Sequence, residues 1–110
     1  MIRLLYCSQA KSDFSEEVLK EILLTSRKNN SAAGITGVLV HGGGMFMQVL
    51  EGPEQNVLRT YMKILDDKRH TDSRIIQISP MKERMFDNWT MGVIEAEPLT
   101  FEHVAKLRAH

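Results

Sequence analysis

Alternation of apolar and polar positions divides the 110-residue chain into seven elements and a weak C-terminal helical pattern. Residues 2–8, IRLLYCS, are a short apolar run of the kind that makes a buried strand, and residues 9–14 are a polar connection. Ser15 before Glu16 and Glu17 has the form of a helix start: a capping hydroxyl, then acids where the helix dipole favours them. Val18, Leu19, Ile22, Leu23 and Ser26 follow at helical spacing. The Asn29-Asn30-Ser31 run predicts that this helix stops at about residue 29 or 30, because asparagine tolerates the left-handed conformation. A second strand is expected over 34–40 and a third over 45–52. Between them, His41-Gly42-Gly43-Gly44 supplies the positive φ angles of a hairpin turn. Gly52-Pro53 marks a second helix with proline at its first position. Val57, Leu58, Tyr61, Met62, Ile64 and Leu65 give that helix its apolar face. Residues 66–73 read as a polar loop, 74–81 as a fourth strand and 89–94 as a fifth. Phe101, Val104 and Leu107, spaced by three, predict a short C-terminal helix.

The order β-α-β-β-α-β-β contains two split βαβ units and predicts an α+β, ferredoxin-like fold. Its mixed five-stranded sheet carries both helices on one face. Strands one and three are expected to be adjacent, central and parallel. The expected domain is residues 1–96, with 97–110 as an extension forming a cap helix or the start of a linker.

Composition narrows the class. Hydrophobic residues make up 43% and charged residues 25%, which excludes a disordered or low-complexity chain. Fourteen basic side chains balance fourteen acidic ones, so no global field attracts nucleic acid or an anionic membrane. Cys7 is the only cysteine, which removes an internal disulfide and a cysteine zinc cage and points to a reducing cytoplasm. Arg3 interrupts the first apolar run, so no signal peptide is expected, and no stretch approaches the roughly 20 apolar residues of a membrane span.

The third strand holds an anomaly. In MFMQVLEG, residues 45–52, Phe46, Gln48 and Leu50 share one face. An amide between two large apolar side chains costs free energy unless it is hydrogen-bonded. Tyr6 on the first strand is a candidate partner, provided Leu4, Tyr6 and Ser8 also face the helices. By itself such a pair is more often structure than function, since a buried tyrosine commonly holds a polar partner. Ile22, Ser26, Asn29 and Asn30 fall along one side of the first helix, a strip that turns from apolar to polar. It is either a capped helix end or an edge of amides suited to a heterocycle such as an isoalloxazine. Trp89 and Met91 share a strand face and either fill core or pack on a ligand ring. Lys63, Arg69 and His70 are either solvated charges or contacts for a phosphate or ribityl chain. Gly42-Gly43-Gly44 joins two strands and is no phosphate loop, and the four histidines lack metal-ligand spacing. Nothing assembles a hydrolytic nucleophile and base.

Six segments in order resemble the BLUF family of blue-light-sensing flavin domains. They are LLYCS at 4–8, SRKNN at 26–30, GITGVL at 34–39, MFMQVLEGP at 45–53, DDKRH at 66–70 and ERMFDNWTMG at 83–92. The resemblance implies a non-covalent flavin between the two helices: FAD, with FMN or riboflavin as alternatives. It implies Tyr6 as electron and proton donor and Gln48 as the bridge from Tyr6 to the ring. Asn30, with Asn29 beside it, would hold the pyrimidine edge, and Ile22 and Ile64 would sandwich the ring. Lys63, Arg69 and His70 would lie toward the ribityl and phosphate end. Trp89 and Met91 would be alternative neighbours of Gln48. The implied function is a photosensor, not an enzyme, signalling to a fused or partner effector such as a nucleotide cyclase or a cyclic-dinucleotide enzyme. A homodimer, without nucleic acid or membrane, is the expected assembly. The competing readings are a ferredoxin-like ligand- or protein-binding domain without photochemistry, and a flavin-dependent enzyme, which would need a substrate cavity and turnover in the dark.

Overall fold

Three apolar alternations in register build the centre of the sheet. The computed structural model describes residues 1–10, 15–68, 70–86 and 91–95. Its elements are β1 (Ile2–Ala10), α1 (Glu16–Ala33), β2 (Thr36–Gly42), β3 (Met45–Gly52), α2 (Glu54–Leu65), β4 (His70–Pro80) and β5 (Gly92–Glu95). The strands lie in the order β4-β1-β3-β2-β5, with β5 parallel to β2. Element order, sheet composition and ferredoxin-like class agree with the sequence. The C-terminal helix falls outside the described residues.

One topological expectation is corrected: β1 and β3 are adjacent and central but antiparallel. The cause is the connectivity. The crossover through α1 carries the chain from β1 to β2, and β3 then returns from β2 through the Gly43-Gly44 turn into the space between them. A strand inserted by a hairpin runs against its predecessor.

Local chemistry moves several boundaries. The Ser15 side chain accepts from the Val18 amide, as a capping residue should. α1 passes through both asparagines and ends a turn later at Ala33. Alanine favours helix, and Gly34, at φ 68°, takes the left-handed cap position at no steric cost. The Gly34 and Ile35 amides both donate to the Asn30 carbonyl. Pro53 sits at the N-cap of α2, just ahead of the first helical residue. Val57 and Tyr61 are the buried residues of α2, and Ile64 packs partly against them, whereas Leu58, Met62 and Leu65 are exposed. The apolar face of α2 is therefore narrower than its composition implied. Residues 70–73, expected in a loop, open β4: His70 and Thr71 pair with Ala10 and Gln9 at the end of β1, and a register shift follows, with Asp72 at φ 55°. Their pairing is tertiary, so local polarity could not reveal it.

The sheet has two unlike faces. On one, Leu4, Tyr6, Leu39, Phe46 and Leu50 pack with Leu23 of α1 and with Val57 and Tyr61 of α2, placing both helices on that side. On the other, Val38 and Val40 are covered by Met45, Met47, Val49 and Phe86. Gly37 lets two strands approach closely, because a Cβ there would lie 1.9 Å from the Val49 carbonyl oxygen. Beside this back cluster, Glu51 is fully buried. Its carboxylate accepts from Arg3 Nε at 2.7 Å, the Met85 amide at 3.0 Å and the Phe86 amide at 2.8 Å. Arg84 adds bonds to Thr36 Oγ1 at 3.1 Å and to the Gly34 carbonyl at 2.7 Å. The chain after β4 is thus strapped across the back of the sheet by a buried charge whose donors are all supplied.

Removing that carboxylate strands two amides and a guanidinium. Glu51→Ala should lower unfolding stability by roughly 3–5 kcal/mol, read from urea denaturation. A loss below about 1 kcal/mol would show that water replaces the carboxylate at little cost.

Candidate functional site

A cleft opens between α1 and α2 above the helix-facing side of the sheet. α1 presents Ile22, Ser26, Asn29 and Asn30 to it, α2 presents Lys63 and Ile64, and the strands supply Tyr6 and Gln48 as floor. These eight predicted residues come together as expected. The lining also includes Thr25, Ala33, Leu39, Phe46, Thr60 and Asp67, which the sequence reading missed. Helical spacing could have found most of the helix residues: 22, 25, 26, 29, 30 and 33 form one face of α1, and 60, 63 and 64 one face of α2. Leu39 and Phe46 follow from strand register, since Leu39 pairs with Gln48, and Phe46 shares its face. Asp67 lies beyond the end of α2, where its amide donates to the Ile64 carbonyl, and no periodic pattern reaches it. Arg69 and Trp89 lie outside the described residues, and the His70 side chain is likewise undescribed although its backbone starts β4.

The antiparallel register sets Tyr6 directly opposite Gln48. The Tyr6 hydroxyl donates to Gln48 Oε1, and Gln48 Nε2 donates to Met91 Sδ at 3.3 Å. Tyr6, Gln48 and Met91 are all buried. Met91 does not line the cleft but lies behind Gln48, one residue before β5. The three side chains form a directional relay: phenol to carbonyl, amide to sulfur. A thioether has no proton to give, so turning the amide around would leave its carbonyl facing an atom that cannot donate. The relay therefore has one orientation in which both bonds are made.

Burial pushes the Tyr6 hydroxyl far above its ordinary pKa, with smaller contributions from the neighbouring Tyr61, Asp67 and Cys7. The phenol keeps its proton at any ordinary pH. The Tyr61 ring packs against Tyr6 with centroids 5.1 Å apart and a tilt of 53°, and its own hydroxyl bonds Ser73 Oγ at 2.8 Å. Tyr6 is thus held from below by its strand, from the side by an aromatic ring and at its tip by an amide.

The cleft suits a flat, mostly neutral heterocycle. Its cavity volume is ≈ 250 Å³, against about 10–15 Å³ needed for one water. Ile22 and Ile64 bring apolar walls from opposite helices, and Asn29, Asn30 and Gln48 bring amides that both donate and accept. A flavin ring, apolar on its faces and polar along its pyrimidine edge, fits this donor set. Among the described residues no cluster of three metal-ligating side chains occurs, and no described helix is long and apolar enough to cross a membrane.

Comparison with known proteins agrees with this geometry. The family model for BLUF, sensors of blue-light using FAD, matches residues 1–92. Photoactivated adenylate cyclase subunit beta of Euglena gracilis is 39% identical over 97 residues, covering 87% of this chain but 11% of the relative. A bacterial light-regulated adenylyl cyclase superposes with a TM-score of 0.84 at 36% identity, covering 99% of this chain and 34% of that one. BlrB, a BLUF protein in its dark state, superposes with a TM-score of 0.83 at 29% identity over 86% of this chain and 71% of that one. This chain therefore spans about a tenth of that curated relative and a third of the cyclase structure. The cleft, its Tyr6–Gln48 floor and the match over residues 1–92 identify the chain as a member of the BLUF family of flavin-binding blue-light sensor domains.

Proposed function

We propose that this domain reports blue light by rearranging the hydrogen bonds of Gln48, driven by electron and proton release from Tyr6. The observation that supports it is the buried relay from Tyr6 Oη through the Gln48 amide, both on the floor of the cleft, to Met91 Sδ behind it. When bound, the flavin supplies absorption of blue light and, once excited, an acceptor for one electron and one proton. Tyr6 releases the electron, and its phenolic proton leaves along the bond it already makes to Gln48. With the phenol changed, the amide is free to rotate or tautomerise. Reverse transfer restores Tyr6 while Gln48 keeps its new arrangement, and absorption is displaced slightly to the red. No substrate is consumed, and the result is a shift between two conformations.

The cleft residues take matching roles. Asn30 and Asn29 hold the pyrimidine edge, and Ile22 and Ile64 flank the ring. Ser26 lies on the same strip of α1. Lys63, with Arg69 and His70, is assigned to the ribityl and phosphate end, and Asp67 lines the same cleft as Lys63. FAD is the form proposed; FMN and riboflavin carry the same ring. Trp89 is the alternative neighbour of Gln48 when Met91 is displaced. Residues 1–96 are the sensor and 97–110 the extension toward an effector. That effector is read as an adenylyl cyclase, fused or separate, because relatives that share this domain are named light-regulated cyclases. Pairing of two copies completes the proposal, with sedimentation as its check.

Absorption before and after blue light is the direct test. The protein should be yellow, shift to the red and recover in darkness. Gln48→Leu should keep its flavin and lose the shift entirely; a mutant that switches normally would defeat the mechanism.

The proton held by Tyr6 has its own signature. Below about pH 10 both folded and unfolded chains hold it; above that the unfolded chain releases it and the folded one does not. Stability contributed by Tyr6 is therefore constant at low pH and falls as pH rises, by about 1.4 kcal/mol per unit. In urea titrations from about pH 9 to 11, the stability difference between the unaltered protein and Tyr6→Phe should shift by that slope. Parallel curves would show an easily ionised Tyr6.

A further inference from the structure

Met91 is gripped at two points. Its sulfur accepts from Gln48, and its carbonyl accepts from Arg27 Nε at 3.1 Å. Arg27 stands on α1 between Leu23, four residues before it, and Asn30, three after, both buried. Its own side chain is not part of the cleft wall. The grip falls at a sensitive place. β5 joins the sheet only from Gly92, which pairs with Val38, so the Met91 carbonyl lies ahead of the first strand pair. Upstream, the Glu51 carboxylate holds the Met85 and Phe86 amides on the opposite face of the sheet. Of the described bonds to Met91, only that from Arg27 ties its backbone to a helix. A guanidinium on a carbonyl is a charge-assisted bond, stronger and more directional than a neutral one.

We propose that Arg27 is a positioning residue that sets Met91 Sδ against Gln48 Nε2, and so sets how readily Gln48 returns from its rearranged state. This rests on the reading of Tyr6 and Gln48 as the light switch. The sulfur reaches the amide only while the Met91 backbone stays against α1. Loosening the carbonyl raises the free energy of the arrangement in which Gln48 makes both of its bonds. The rearranged state then has less to gain by reverting.

Two substitutions separate donor from bulk. Arg27→Met keeps a long apolar stem and removes the donor, and Arg27→Lys keeps a cationic donor. Both leave the cleft lining unchanged, so flavin occupancy should stay that of the unaltered protein. In the dark, flavin-loaded protein, the Met91 methyl resonance, labelled with carbon-13, should move in Arg27→Met and hold in Arg27→Lys. After blue light, Arg27→Met should recover about tenfold more slowly, and Arg27→Lys within about twofold of the unaltered rate, the range of ordinary surface substitutions. Recovery of Arg27→Met at the unaltered rate, an unmoved methyl resonance, or equal impairment of both variants would each overturn the proposal. If the unaltered protein shows no light-induced shift, the switch reading fails instead. The methyl comparison then still decides whether Arg27 places Met91.

Discussion

Everything in the site depends on the register between the two central strands. β1 and β3 pair so that Leu4 meets Leu50, Tyr6 meets Gln48 and Ser8 meets Phe46. Side chains alternate along a strand, so a slip of one residue would send this whole set to the other face. The phenol would then point away from the helices, and the cleft would lose its floor. The apolar Leu4–Leu50 pair beside Tyr6–Gln48 holds the register, because slipping would expose both leucines, which are wholly buried. The polar contact is thus positioned by its hydrophobic neighbours.

β3 serves both faces of the sheet within four residues. Gln48 faces the helices, and Glu51 faces the back, where it collects an arginine and two backbone amides. The two polar groups are solved differently. Glu51 has its donors supplied by a segment that wraps over it, and this makes a fixed attachment. Gln48 has one acceptor and one donor engaged by side chains, a phenol and a thioether. Rotation about its last torsion exchanges amide oxygen and nitrogen, so it is suited to change partners. Burial alone does not distinguish a strap from a switch; the kind of partner does.

Much of this was legible in the sequence. Strand and helix order followed from the change of apolar period, and the cleft residues of α1 followed from the spacing of 22, 26, 29 and 30. What failed depended on distant partners or on competing local signals. Asn29-Asn30 looked like a helix stop, but Ala32, Ala33 and Gly34 downstream extended the helix and capped it better. All eight residues from 66 to 73 are polar, yet four of them joined a strand because β1 lay beside them. The strand direction was misjudged because hairpin insertion was not traced through. Glu51 gave no signal at all: a glutamate is expected at the surface, and its burial depends on amides 34 and 35 residues away. Arg27 was passed over for the same reason, since its bond to Met91 spans 64 residues.

The sulfur of Met91 gives the relay something a hydroxyl in its place would not. A hydroxyl can both give and take a proton, so it would satisfy either end of the Gln48 amide and leave two nearly equal resting states. The thioether only accepts, so the amide has a preferred way round. In the proposed switch, that preference is what draws Gln48 back to its resting arrangement in darkness.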